Sequence, residues 1–161
     1  MAVSVFVKFD GIDGEATESK HQKWMPVQSF SWGVTHPVDV VGSGLASGRA
    51  HIHDFSFVKS TDSSSPKLAL NCCTGEHVKL VTVEFSQSTG GNEPLVYMQY
   101  KFTDVMIAGF QISGHDATDR PTESISVAFS KWEQVYQPTD GKGGLGGKVP
   151  AGFDVKANKK V

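Results

Sequence analysis

The amino-acid sequence predicts a mainly-β domain, a sandwich or barrel of many strands with one short helix. Three observations carry that reading. Apolar and polar residues alternate with period two over several stretches. Turn-forming residues punctuate them, with 17 glycines among 161 residues. A single segment, about residues 65–74, has the caps and spacing of a helix. The length suits one domain covering 1–161, able to bury roughly 70% of the surface its unfolded chain exposes. No internal repeat or interdomain linker divides it.

Val3, Val5, Val7 and Phe9 alternate with Ser4, Phe6, Lys8 and Asp10 in the first strand. Asp10-Gly11 and Asp13-Gly14 mark turns, and the polar run 15–23 reads as a solvated loop. A second strand is expected over 27–35. Phe30, Trp32 and Val34 share its core side; Ser29, Ser31 and Gly33 face solvent or a water-filled space. Residues 36–49 form a long extended loop, and loops of that length usually bind something or are disordered. Its apolar residues Val38, Val40, Val41 and Leu45, set among glycines, suggest docking onto another surface. His51, His53, Phe55 and Phe57 then alternate with Ile52, Asp54, Ser56 and Val58 in a third strand.

The helix follows. The Ser65 hydroxyl is placed to cap its first turn, Pro66 suits the first helical position, and Gly75 suits its end. Leu68 and Cys72 lie four apart, as do Ala69 and Cys73, so one side is small and apolar. So short a helix is marginal alone, and the strands before and after it are expected to supply its packing surface. Beyond it come strands over 78–85 and 94–102, joined through Gly90-Gly91-Asn92, and another over 105–112. A polar loop, 115–121, leads to a long strand over about 123–136. The Gly- and Lys-rich segment 138–152 reads as a mobile loop, followed by a short strand from Phe153 to Val155 and a polar tail.

Composition narrows the function. Lys plus Arg total 15 and Asp plus Glu 17, a net charge of −2, so no basic field for nucleic acid is present. No stretch is apolar for the ~18 residues that a membrane span requires, and the start reads as a strand, not a cleavable signal peptide. Cys72 and Cys73 are adjacent, a poor geometry for a disulfide, and read as packed small side chains made in a reducing compartment.

The motifs tested for chemistry mostly fail. Gly141-Lys142-Gly143-Gly144-Leu145-Gly146 matches GxGxxG, but Gly147, Pro150 and Gly152 oppose the helix that a dinucleotide site needs. The phosphate-binding P-loop fails too, with Lys142 at a glycine position and Val149 in place of Ser or Thr. Ser43 lacks the glycines of a nucleophile elbow. Asp10, Asp13, Glu15 and Glu18 depart from calcium-loop spacing. His51 and His53 share one strand face, as metal ligands can, yet the sequence sets no third ligand beside them. Trp32 and Trp132 read as core. No catalytic constellation, cofactor or metal is expected.

Several motifs occur together in a familiar order: Phe30-Ser31-Trp32-Gly33, Asp54-Phe55-Ser56-Phe57-Val58-Lys59, Ser65-Pro66-Lys67-Leu68, Asp119-Arg120-Pro121-Thr122-Glu123-Ser124 and Gly152-Phe153-Asp154-Val155. In these the chain resembles the haemolysin-coregulated protein (Hcp) family, which forms the inner tube of the bacterial type VI secretion system. The resemblance runs from about Ala2 to the C-terminus. Phe153 stands where relatives often have Trp, and the Gly-Lys run 141–148 is peculiar to this chain.

The resemblance implies a compact β-barrel of two sheets with one helix beside it, and a non-enzymatic role. It implies homohexameric rings that stack into a hollow conduit carrying small effector proteins. It also implies contacts with the secretion spike protein and contractile sheath, and none with nucleic acid or the membrane interior. Assembly in the cytoplasm would precede export by the secretion system itself. On this reading Ser29, Ser31 and Gly33 line the lumen, and Val38, Val40, Val41 and Leu45 make ring or stacking contacts. The alternative is a monomeric β-sandwich that binds carbohydrate through Trp24. An enzyme is the third reading, and would have to depend on His51 or His53.

Overall fold

The computed structural model describes residues 3–40, 46–88, 93–116, 119–140 and 142–161, with the backbone alone for Ala46 and Ser47. The fold is mainly β with one short helix. Among the described residues the strands are β1 (Val3–Phe9), β2 (Met25–Val27), β3 (Ser29–Ser31), β4 (Val34–Thr35), β5 (Val38–Asp39), β6 (Ala46–Ser47), β7 (His51–Ile52), β8 (Phe55–Ser60), β9 (His77–Gln87), β10 (Leu95–Ser113), β11 (Thr122–Tyr136), β12 (Val149–Asp154) and β13 (Lys159–Lys160). The helix, α1, spans Ser65–Thr74.

Nine strands form one sheet: seven run in the order β13-β12-β11-β10-β9-β1-β2, β8 and β3 branch from β11, and every pairing is antiparallel. Strand β11 is shared: Thr122 to Val127 pair with β8, whose other edge takes β3, while Lys131 to Tyr136 pair with β12. The sheet curls into two layers that face each other. Phe9 of β1 meets Phe57 of β8 with ring centroids 6.0 Å apart, and Phe30 of β3 meets Phe85 of β9 at 4.9 Å. The ladder is not a closed barrel. Strands β2 and β3 lie at its two ends, joined by Gln28, whose N–H donates to the Val58 carbonyl at 2.8 Å.

Between the layers lies a core rich in phenylalanine and valine, including Phe9, Phe55, Phe57, Phe102, Val81 and Val127. Full burial of each large side chain contributes about 1.5–3 kcal/mol, so the core dominates the stability. Trp32 and Trp132 pack against it, 5.0 Å apart, as the sequence predicted for core residues.

The strand boundaries differ from expectation in several places. The strands expected over 94–102 and 105–112 are one, β10, which keeps its register through Asp104 although that residue has a φ of 54°. Asp tolerates that left-handed conformation better than most residues. The strand expected over 27–35 breaks into β2, β3 and β4, so its alternation is not kept throughout. Phe30 remains 45% exposed although its ring touches Phe85. The expected third strand divides into β7 and β8. In the C-terminal segment β12 begins at Val149, and the polar tail adds β13. Gly90-Gly91-Asn92 lies outside the described residues, though the strands flanking it pair as expected of a hairpin.

Helix α1 spans the predicted residues, but its cap lies one residue before the Ser65 expected. Ser64 is its N-cap, Pro66 its second residue, and Gly75 ends it at φ 71° with its N–H on the Asn71 carbonyl. Leu68 is buried, and the helix rests on β10, a later strand than either of its neighbours in sequence. The Ser65 hydroxyl serves a different purpose: it donates to Glu123 Oε1 at 2.8 Å and accepts from the Asp62 N–H. Lys59 and Glu123 stand opposite each other on β8 and β11, each about 1% exposed, with Nζ and Oε1 2.8 Å apart. Lys59 also donates to Asp62 at 2.9 Å and to the Ser60 carbonyl. An ion pair thus ends the core face that Phe55, Phe57, Val127 and Ile125 begin. Removing one partner of such a pair costs about 3–5 kcal/mol because the other charge stays buried.

Candidate functional site

Residues 34–52 leave the sheet as an arm. Val34 pairs with Ile52 and Thr35 with His51; further out Val38 pairs with Ser47 and Asp39 with Ala46. The segment expected as a long extended loop therefore carries two short ladders of its own. Its side chains find little cover: Val38 is 55% exposed and Val40 72%. Val41 and Leu45 lie outside the described residues. At its root the Arg49 guanidinium donates to the Val155 carbonyl at 2.9 Å, tying the arm to the end of β12.

Beside the root is an open, polar concavity of about 700 Å³, bordered by Ser31, Gly33, His51, His53, Asp54 and Ser126 among others. Strand register explains its floor. Ser31 pairs with Ser56, Ser56 with Ser126 and Ser126 with Gly109, so one row of small residues crosses β3, β8, β11 and β10. The Ser56 and Ser126 hydroxyls are 2.9 Å apart. Ser29 belongs to the next row, opposite Val58, and is exposed without bordering the concavity. The structure thus joins Ser31 and Gly33, sets Ser29 apart, and adds Ser56 and Ser126. Alternation around Phe55, Phe57, Ile125 and Val127 placed Ser56 and Ser126 on the outward faces; only register shows that they adjoin.

A second polar cluster departs from expectation. The run 15–23 is not a solvated loop, for His21 within it is fully buried. Its ring stacks on Phe6 at 4.3 Å and meets Trp24 edge-on at 4.8 Å. Glu18 contacts Nδ1, and Glu84 Oε1 lies 3.0 Å from Nε2; Gln99 donates to the other Glu84 oxygen at 2.6 Å. Burial pushes the Glu18 carboxyl up. The His21 contact and the Lys20 N–H outweigh it and leave that carboxyl below its ordinary range. Trp24 is half-buried and engaged by His21.

The remaining candidates are quickly placed. Among the described residues no group of three or more His, Cys, Asp or Glu could hold a metal. Cys72 packs on the core as predicted, whereas Cys73 is exposed; both are free thiols. Gly141 lies outside the described residues. Gly143 has φ 84° and Thr139 bridges to Leu145, so the rest of the GxGxxG match is a turn and no helix follows it.

Three comparisons bear on this geometry. Residues 6–136 match the family described as "Type VI secretion system effector, Hcp". Protein hcp1 of Pseudomonas aeruginosa is 28% identical over 160 residues, covering 98% of each chain. A solved structure of a type six secretion system protein is similar at a TM-score of 0.93 and 33% identity, over 99% of this chain and 100% of the other. Hcp1 from Salmonella typhimurium is similar at 0.78 and 33%, over the whole of both.

Proposed function

We infer the function from one premise: the chain belongs to the Hcp family of the type VI secretion system. On that premise we propose that it is a structural subunit of the secretion tube. Six copies make a ring, rings stack into a conduit, and small effector proteins travel in the lumen. The observation that carries this reading is the likeness along the full chain to solved Hcp structures.

Two surface features support it. Heterologous contacts that close by rotation make rings, and contacts that do not close make filaments. An exposed valine-bearing arm suits such contacts, since uncovered apolar patches mark interaction sites. The row of Ser31, Ser56 and Ser126 suits a wet lumen wall. Spike, sheath and effectors are the further partners, and the subunit's role is structural, not catalytic. Assembly precedes export through the secretion system. No helix among the described residues is long and apolar enough to cross a membrane. The carbohydrate-binding reading has less support, because Trp24 packs against His21.

Negative-stain images and light scattering of the purified protein test the assembly, with six-membered rings expected. Monomers alone at high concentration would overturn it. In those rings Ser31→Gln should leave assembly intact and reduce effector co-purification. Unchanged co-purification would remove Ser31 from the lumen wall.

A further inference from the structure

We propose that His51 and His53 form a bidentate site for a divalent first-row transition metal, with Cu(II) the tightest of the series. The two rings stand side by side at the rim of the polar concavity, with centroids 4.9 Å apart and planes at 79°. A metal–imidazole bond of about 2.0–2.1 Å places each ring centroid about 3.2 Å from the ion. Right-angled and tetrahedral bites then correspond to centroid separations of about 4.5 and 5.2 Å. The observed spacing falls between them.

Availability distinguishes this pair from His21 and His77, and the ring contact between them distinguishes it from His36 and His115, which are exposed singly. His21 is held by two carboxylates, and His77 Nδ1 lies 2.7 Å from Asp104. Among the described residues neither His51 nor His53 has a side-chain hydrogen bond or ion pair; the ring contact between them is what they share. Both are exposed, so their ring nitrogens are open to an incoming ion. Asp54 adds a carboxylate to the same concavity, and its charge favours a cation there. Water fills the remaining coordination positions, since no cluster of three metal-binding side chains exists among the described residues. No described carboxylate bonds the outer nitrogens, which lowers the affinity about 10–100-fold below that of a site with such support. Imidazole suits copper, nickel and zinc, and the divalent affinity order peaks at copper.

The test is calorimetric titration of untagged protein with Cu(II), with electron paramagnetic resonance of the loaded sample. The expected result is one ion per chain with nitrogen hyperfine structure from two imidazoles. His51→Ala and His53→Ala should each weaken binding about tenfold or more, since either leaves a single ligand. His77→Ala should not change it. Wild-type affinity in both His51→Ala and His53→Ala, or no saturable binding by the parent protein, would overturn the proposal. Light scattering on the same samples keeps loss of metal separate from loss of rings.

Discussion

Two excursions leave the sheet, and each behaves opposite to its composition. The loop 10–24 is polar, yet it folds down and buries a histidine. The arm 34–52 is rich in valine and glycine, yet it stands out in solvent. Hydropathy alone would reverse the two. What separates them is where their partners lie. The loop finds its partners within the chain: Gly14 donates to the Lys23 carbonyl at 2.7 Å, Ala16 to Trp24 at 2.9 Å, and Phe6 gives His21 a stacking surface. Gly14 is required there, because a Cβ would fall 2.5 Å from the Trp24 oxygen. The arm satisfies its backbone by pairing with itself and leaves its valines uncovered, which points their stabilisation outside the subunit.

The contrast can be broken most forcefully at His21. His21→Ala removes the stacked ring and leaves Glu18 and Glu84 without the group that separates them. It should lower stability by about 2–4 kcal/mol in urea unfolding. A loss under about 1 kcal/mol would mean that backbone pairing alone holds the loop. A smaller effect is expected from pH. The folded Glu18 carboxyl titrates below its unfolded value, so its stabilisation is complete above about pH 4.3 and disappears as pH falls through the lower folded value. Glu18→Gln should flatten this acid limb; unfolding curves at several pH values that fall in parallel with the parent's would exclude the contact as its source. The smallest change in subunit stability should come from the arm. Val38→Ser combined with Val40→Ser should shift it by no more than about 0.5 kcal/mol, because both side chains are already wet. Rings should nevertheless fail to form, and normal rings from that variant would show the two valines to be dispensable.

The difference between the two excursions also marks how far the sequence could be read. Period-two patterns located most of the strands, and Pro66 with Gly75 bracketed the helix, because these signals depend on neighbouring residues. The arm was legible as an unusual exposed segment, but its pairing was not, since short strands among glycines carry little alternation. Ser31 and Gly33 were on the expected face. Their partners Ser56 and Ser126 needed the register of β3, β8 and β11, which is fixed by contacts far apart in sequence. The buried polar groups were the least visible. Lys59 continues the alternation of Phe55 and Phe57, and Glu123 that of Ile125 and Val127, yet charge argued against burial until each was seen opposite the other. His21 was hidden for the same reason, as its carboxylates come from Glu18 nearby and Glu84 on β9.

Strand β10 has a consequence for how the molecule comes apart. At ~3.3 Å per residue, its 19 residues run farther than a domain of this size is wide, so it must bend and serve both layers. It is hydrogen-bonded to β9 on one side and β11 on the other, and the helix rests on it. Neither layer can peel away and leave the other whole. Melting of the body is therefore expected to be all-or-none.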